Sequence, residues 1–408
     1  MKIAVVGGGP AGSRSAELLA RLGAEVVLYE CRRGWEKPCG GGVPERSIDF
    51  CPFLATSLPQ RQAISARIYS PRGREARVPL TEPLRIFSRT ELNGHLLMRA
   101  EGAGARLRAS RVTSLRRDGT RWKLTDDAGG QEEAEFLVGA DGASGVVRSR
   151  VGRHLPPLAQ SIGIGYFVEG LTSDEIVVKF FDSLDGYLWI FPRWDHLAVG
   201  ICGPTGPGRS EALFSELHGF LVDLYGPTIL RRLRRYGAQI PSLPASVSVR
   251  EACLGDGWGL VGDAAGLVDP LTREGIHYAL ASAEFLSEAL AAGHPEQYPS
   301  RWEAVFGGEL EWAREHKALF FSRRFVEAFT LLADSSPAIQ GIVSDLVAGR
   351  QSYRSLRRRL SLRAAGSAFS LVARFLSPRS KGESRSHPPR LDAVPALSPC
   401  GTTQGARS

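Results

Sequence analysis

With 408 residues and 43% apolar side chains, the chain has material for two or three domains, or for one large discontinuous one. Its net charge of +8 is unevenly placed: residues 350–408 hold twelve Lys and Arg against Glu383 and Asp392, which leaves the first 349 residues at −2. A nearly neutral body argues against a nucleic-acid enzyme. Cys31, Cys39, Cys51, Cys202, Cys253 and Cys400 lack the spacing of a metal site or a disulfide framework, so no metal is expected.

Lys2 to Tyr29 reads as a strand, a glycine turn, a helix and a second strand, a complete βαβ unit. Gly7, Gly9 and Gly12 fill the G-x-G-x-x-G frame, in which the first glycine permits the turn, the second admits a pyrophosphate and the third lets the helix pack on the sheet. Ser15, Leu18, Leu19 and Leu22 have helical spacing, and Gly23 ends the helix. Glu30, at the end of the second strand, is placed to bind the hydroxyls of an adenosine ribose. This predicts dinucleotide binding and leaves FAD and NAD both open. The first strand begins at Lys2, leaving no room for a signal peptide, and no apolar run is long enough to span a bilayer, so a cytoplasmic or membrane-peripheral protein is expected.

Residues 31–47 are too rich in Gly and Pro for regular structure. Ile64–Ser70 and Glu75–Pro79 flank a turn and predict a hairpin; a helix follows Arg89, with Thr90 as its N-cap and Leu92, Leu96 and Leu97 at core spacing. Val112–Arg116 and Arg121–Thr125 predict an antiparallel meander, and Phe136–Val138 a buried strand running into a second glycine turn that contains Asp141 and Gly142. From Gln160 to about Ser248 the pattern is β-rich, with helices near Glu211–Tyr225 and Ile229–Arg235. Leu260–Gly266 then returns as strand and turn, followed by helices near Tyr278–Ala292 and Arg301–Ala333. Tyr353, Leu356 and Leu360 share one face of a basic helix, which either lies on an anionic bilayer or caps the core. The residues from 377 onward read as disordered. His196 and His277 have no visible partner and are read as structural.

Three separated motifs, GGGPAG at 7–12, GADGASGVVR at 139–148 and GDAAGLVDPLTREGI at 262–276, resemble those of the FAD-dependent oxidoreductases related to p-hydroxybenzoate hydroxylase. Two more, KPCGGGV at 37–43 and YLWIFP at 187–192, resemble the signatures of the geranylgeranyl reductase family, so that the likeness spans roughly residues 1–290. The resemblance implies an α/β fold: a discontinuous Rossmann-type FAD-binding domain (1–155 and 251–295), an inserted, mostly antiparallel β substrate domain (156–250), C-terminal helices (296–376) and a disordered tail (377–408). It also implies FAD as cofactor and reduction of carbon–carbon double bonds in prenyl chains. By position, Gly7, Gly9, Ala11 and Gly12 would hold the pyrophosphate, Glu30 the ribose and Arg89 the phosphates, with Val112 at the adenine. Asp141 and Gly142 would close the site. Asp263, with Gly262, Gly266 and Pro270 of the same motif, would hold the ribityl or pyrophosphate region, and Gly275 and Ile276 would lie beside the flavin ring. The family usually has glycine where Arg273 stands, which would narrow the pocket or alter the flavin.

Reduction of an isolated alkene needs a hydride, which no side chain supplies, and a proton. A free thiol near neutral pH is mostly protonated, which makes Cys39 the candidate donor. Its alternative is a small residue in a glycine turn. Gly40, Gly41 and Gly42 would let the backbone pass close to the flat flavin. Tyr187, Trp189 and Phe191 alternate at strand period, and with Pro192 they predict either a substrate wall or a packed sheet face. The readings left open are an isoprenoid reductase, an FAD monooxygenase on the same fold, and a non-catalytic membrane-associated flavoprotein. A halogenase is disfavoured because no matching lysine-bearing motif is present. There is no second glycine fingerprint for a nicotinamide domain, and the electron donor is expected to be transiently bound NAD(P)H or a ferredoxin. Peripheral contact with an anionic membrane would run through 350–376.

Overall fold

A computed structural model describes residues 1–55, 58–151, 160–182, 184–243 and 248–363. The predicted βαβ unit is present as β1 (Lys2–Val6), α1 (Pro10–Arg21) and β2 (Glu25–Tyr29). Ile3, Ala4 and Val5 are fully buried because both faces of the sheet are covered, which is why the strand reads as an unbroken apolar run. In α1, Ser15 and Leu19 point inward while Leu22 is exposed.

Next come β3 (Gly42–Val43), α2 (Glu45–Phe50), the hairpin β4 (Gln60–Tyr69) and β5 (Glu75–Phe87), α3 (Arg89–Gly102) and β6 (Arg106–Arg108). The meander is β7 (Val112–Asp118), β8 (Arg121–Asp126) and β9 (Gln131–Ala134), and β10 (Phe136–Gly139) leads to α4 (Val146–Val151). The β-rich segment comprises β11 (Gln160–Glu169), β12 (Glu175–Phe180), β13 (Tyr187–Pro192), β14 (His196–Pro204), α5 (Arg209–Tyr225) and β15 (Leu233–Pro241). The chain returns through α6 (Val249–Ala252), β16 (Leu254–Gly255), β17 (Trp258–Leu260) and α7 (Ile276–Ala291). It then runs through α8 (Tyr298–Trp302), α9 (Gly308–Phe320), α10 (Arg323–Ser335), α11 (Pro337–Ala348) and α12 (Tyr353–Arg363).

Two large sheets organise these elements, beside the three-stranded meander β7-β8-β9. The first has the order β16-β17-β10-β1-β2-β6 and is parallel except at β16–β17; the central strands β1 and β10 lie side by side, so both glycine turns leave the same C-terminal end of the sheet. The second has the order β15-β11-β14-β13-β12-β4-β5-β3 and is antiparallel except at β12–β4. Sheet membership therefore departs from the 1–155 and 156–250 blocks: residues 42–87 supply three strands to the second sheet, because β4 pairs with β12 from far along the chain. The helix expected over Ile229–Arg235 is a 3-10 turn at Pro227–Arg232, after which β15 pairs with β11 from Leu233. Tertiary pairing overrides local preference there.

The C-terminal helices close the far side. Phe325, Val326, Ile342 and Leu356 pack on Ile68, Ala76 and Val78 of the hairpin. Of the two expectations for the apolar face of α12, packing on the core is the one observed for its described side chains: Tyr353 and Leu356 are buried, and the Tyr353 hydroxyl donates to Asp269 at 2.9 Å. The side chain of Leu360, residues 364–376 and the 377–408 tail lie outside what is described. Among the described residues, no helix is long and apolar enough to cross a membrane, and no group of side chains could hold a metal ion.

Candidate functional site

The two glycine turns meet at the C-terminal end of the central strands of the first sheet. Gly7 has φ +101°, donates to the Tyr29 carbonyl at 2.9 Å, and passes so close to the second turn that a Cβ there would fall 2.5 Å from the Ala140 carbonyl oxygen. Gly12 is equally constrained, since its Cβ would sit 1.8 Å from the Gly7 carbonyl oxygen. Gly9 differs: nothing lies within 4 Å of where its Cβ would be, so the space above it is reserved by no protein atom. α1 starts there with no side-chain cap and no acid in its first turn, leaving its leading amides toward the cavity. Glu30 is fixed by Gly8 N–H at 2.8 Å and Arg32 N–H at 2.7 Å. Arg89 is buried beside this corner; it donates to Asn93 at 3.1 Å, and its Nε has no partner. Uncapped amides, open space over Gly9 and an unspent guanidinium N–H form a cradle suited to a dinucleotide diphosphate.

A continuous cavity of about 1100 Å³ runs from this corner past the Cys39 loop. Of the residues singled out in the sequence, Gly7, Gly9, Ala11, Glu30, Cys39, Gly40, Gly41, Gly42, Arg89, Val112, Asp141, Gly142, Asp263, Gly275, Ile276, Tyr187, Trp189 and Phe191 all line it. Five do not. Gly12 packs α1 on the turn, and Gly262 fits against Ala11 and Ala279. Gly266 and Pro270 border a separate small recess beside Leu243 and Trp302. Pro192 is buried off the cavity, at the end of the aromatic strand.

Asp141 accepts Val147 N–H at 2.8 Å through one oxygen while the other has no partner, and burial pushes its carboxyl up to about 6. Asp263 lies 3.4 Å from the Lys37 ammonium. The Cys39 thiol sulfur accepts Gly41 N–H at 3.2 Å. Protein contacts alone already require the glycines beside it: a Cβ on Gly40 or Gly42 would meet the Phe191 ring at 2.8 or 3.0 Å, and one on Gly41 would lie 2.4 Å from the Phe87 carbonyl oxygen. Trp189 packs against Gly200, where a Cβ would come 2.2 Å from its ring. His277 is half-buried off the cavity, with its basicity pushed down to about 3 mainly by desolvation, and His196 bonds Asp195 at 2.7 Å.

Several contributors escaped the sequence reading. Glu36 caps α3: its carboxylate accepts Ser88 Oγ–H, Arg89 N–H at 2.7 Å and Thr90 N–H at 3.2 Å, while the Thr90 hydroxyl, expected to be the cap, bonds Gly34 instead. Burial opposes ionisation of Glu36, but Arg193 and these hydrogen bonds outweigh it and hold the carboxyl below its usual range. Arg273 has φ +59°, the one non-glycine residue with positive φ among those described, and its guanidinium is tied to Ser242 at 3.1 Å and Asp185 at 3.6 Å. The far end of the cavity is apolar, walled by Phe180, Phe320, Phe325, Phe329, Val343 and Leu346. The Phe325 and Phe329 spacing on α10 was the available signal.

The FAD binding domain family matches residues 1–167. The chain is 30% identical over 343 residues to geranylgeranyl diphosphate reductase of Rhodobacter capsulatus, covering 79% of this chain and 82% of that protein. It is 27% identical over 363 residues to digeranylgeranylglycerophospholipid reductase 2 of Methanopyrus kandleri, covering 78% and 86%. The crystal structure of a geranylgeranyl bacteriochlorophyll reductase-like protein from Thermoplasma acidophilum has the same fold, with a TM-score of 0.69 at 20% identity over 89% of this chain and 99% of that one.

Proposed function

The chain belongs to the geranylgeranyl reductase family of FAD-dependent oxidoreductases, and from that premise we propose that it reduces carbon–carbon double bonds of an isoprenoid substrate. The observation that carries this reading is one cavity lined together by the glycine turn with Arg89, by the loop of the free Cys39 thiol and by the phenylalanines of α9 and α10. When bound, reduced FAD supplies the hydride. Gly9, Ala11, Glu30, Arg89 and Asp263 are the residues that would hold it.

Cys39 holds the complementary proton at Sγ, and the Gly41 amide orients that sulfur by occupying one of its acceptor positions. Tyr187, Trp189 and Phe191 present three rings along one strand, which suits an extended hydrocarbon and keeps water from the reacting carbons. The Tyr187 hydroxyl donates to the Thr272 carbonyl, fixing this wall to the loop before Gly275. The phenylalanines of α9 and α10 would take the rest of the chain. NAD(P)H or a ferredoxin would recharge the flavin.

The test is anaerobic reduction of the purified holoprotein followed by addition of a polyprenyl lipid. Reoxidation of the flavin with a mass gain of two hydrogens per bond is expected, and Cys39→Ala should slow it by about 10²-fold or more. A flavin that ignores polyprenyl compounds but consumes oxygen in step with another substrate would replace this reading with hydroxylation.

A further inference from the structure

We propose that Arg193 is the positioning residue of the Cys39 loop, holding that loop, the aromatic strand and the helix bearing Arg89 in one fixed relation. The proposal rests on the reading of Cys39 as proton donor. Arg193 directly follows β13 and is 0% exposed. Its Nη2 donates to the Cys39 carbonyl at 2.9 Å and lies 3.4 Å from the Glu36 carboxylate. That carboxylate also receives the first amides of α3, so one guanidinium and one carboxylate join three separate elements around the cavity.

Gly41 records how tightly this joint is built. Its φ is +79°, and a Cβ on it would fall 2.0 Å from Arg193 Nη1. The glycine and the arginine therefore require one another: any side chain at 41 would drive the guanidinium from the Cys39 carbonyl. Stability alone does not account for the arrangement. Nε and Nη1 have no partner, and a buried cation short of hydrogen bonds is less favourable than a well-packed apolar side chain of similar size. What the charge supplies is a donor aimed at the backbone of the residue whose thiol faces the cavity. Arg193 itself does not line the cavity, so it acts through Cys39 and not on the substrate.

The test compares wild-type, Arg193→Ala and Glu36→Gln holoproteins, each first checked for flavin content. Alkylation of Cys39 by iodoacetamide, followed by peptide mass spectrometry with exposed Cys31 as internal reference, should change at least fivefold in Arg193→Ala and in the same direction in Glu36→Gln. Added guanidinium ion should return Arg193→Ala toward the wild-type rate. Flavin reoxidation at saturating polyprenyl substrate should fall at least tenfold with KM within threefold. Labelling within twofold of wild type in a flavin-loaded Arg193→Ala, or a loss that guanidinium does not reverse, overturns the proposal. Should that variant fail to fold, unchanged labelling in Glu36→Gln overturns it equally. Altered labelling in a protein that reoxidises with no prenyl compound would support the positioning role and remove the reading of Cys39 as donor.

Discussion

Arg273 stands in a backbone conformation that costs a residue with a side chain about 1 kcal/mol relative to glycine. Its charge-assisted hydrogen bonds to Ser242 and to the Asp185 carbonyl, worth about 1.5–3 kcal/mol, together with the ion pair to the Asp185 carboxylate, offset that cost. Arg273→Ala keeps the strain and loses the ties, whereas Arg273→Gly loses both. The alanine variant is therefore expected to be destabilised by about 2 kcal/mol and the glycine variant by about 1 kcal/mol less, read from urea denaturation midpoints; equal values would show that the left-handed backbone carries no cost. Asp141 offers a second measurement. Burial raises its folded pKa to about 6, against about 3.9 unfolded, so between those values the folded protein holds a proton that the unfolded chain has released. Its contribution is fully present below about pH 4 and is lost as pH rises through about 6. Asp141→Asn keeps an oxygen for the Val147 amide and removes the charge. In flavin-free protein it should be more stable than wild type by about 1–3 kcal/mol near pH 7.5, with the difference closing near pH 4; a pH-independent difference would mean the carboxyl is not driven by burial.

At the scale of elements, the sequence was legible where structure is decided locally. β1, α1 and β2 could be read because a strand buried on both faces is apolar throughout and its turn demands glycine at fixed positions. The cap of α3 was not legible, since Glu36 reaches it from more than fifty residues away and displaces Thr90 from the role. Nor was the placement of β4, whose Ser65 pairs with Glu175 of β12, 110 residues further along the chain. Most of the candidate site emerged from the two turns and the cysteine motif, whereas the far wall did not: Phe325 and Phe329 announce a helical stripe, but only the packing of α10 and α11 on the hairpin shows that part of the stripe faces a cavity. That wall gives a prediction of its own. Val343 of α11 is 4% exposed and faces the chamber, so Val343→Phe should fill space that a long chain would occupy. With a twenty-carbon prenyl substrate KM should rise at least fivefold, while a ten-carbon analogue, which does not reach that depth, should be affected less than twofold. Equal effects on both would place the chain elsewhere.

For the whole molecule, the proposed isoprenoid substrate raises the question of how the protein would meet a lipid surface. Inserting an amphipathic helix needs a free apolar face, and α12 has committed Tyr353 and Leu356 to the interior. Arg350 is likewise engaged with Asp49 and Glu82. Leu356→Ala should accordingly cost about 2–4 kcal/mol of stability, as a core residue would, and should leave vesicle binding as it was. What the chain retains for an anionic surface is charge: residues 364–408 contain six Lys and Arg against two acids. At about 1 kcal/mol per basic residue near such a surface, attraction of this kind is strong at low salt and fades as the Debye length shrinks. Deleting 364–408 is therefore expected to lower sedimentation with phosphatidylserine vesicles at least fivefold near 50 mM salt. The intact chain should lose the same binding near 500 mM, and flavin content should not change in either case. Binding that persists in high salt, or that survives the deletion, would mean that an apolar surface of the folded body makes the contact.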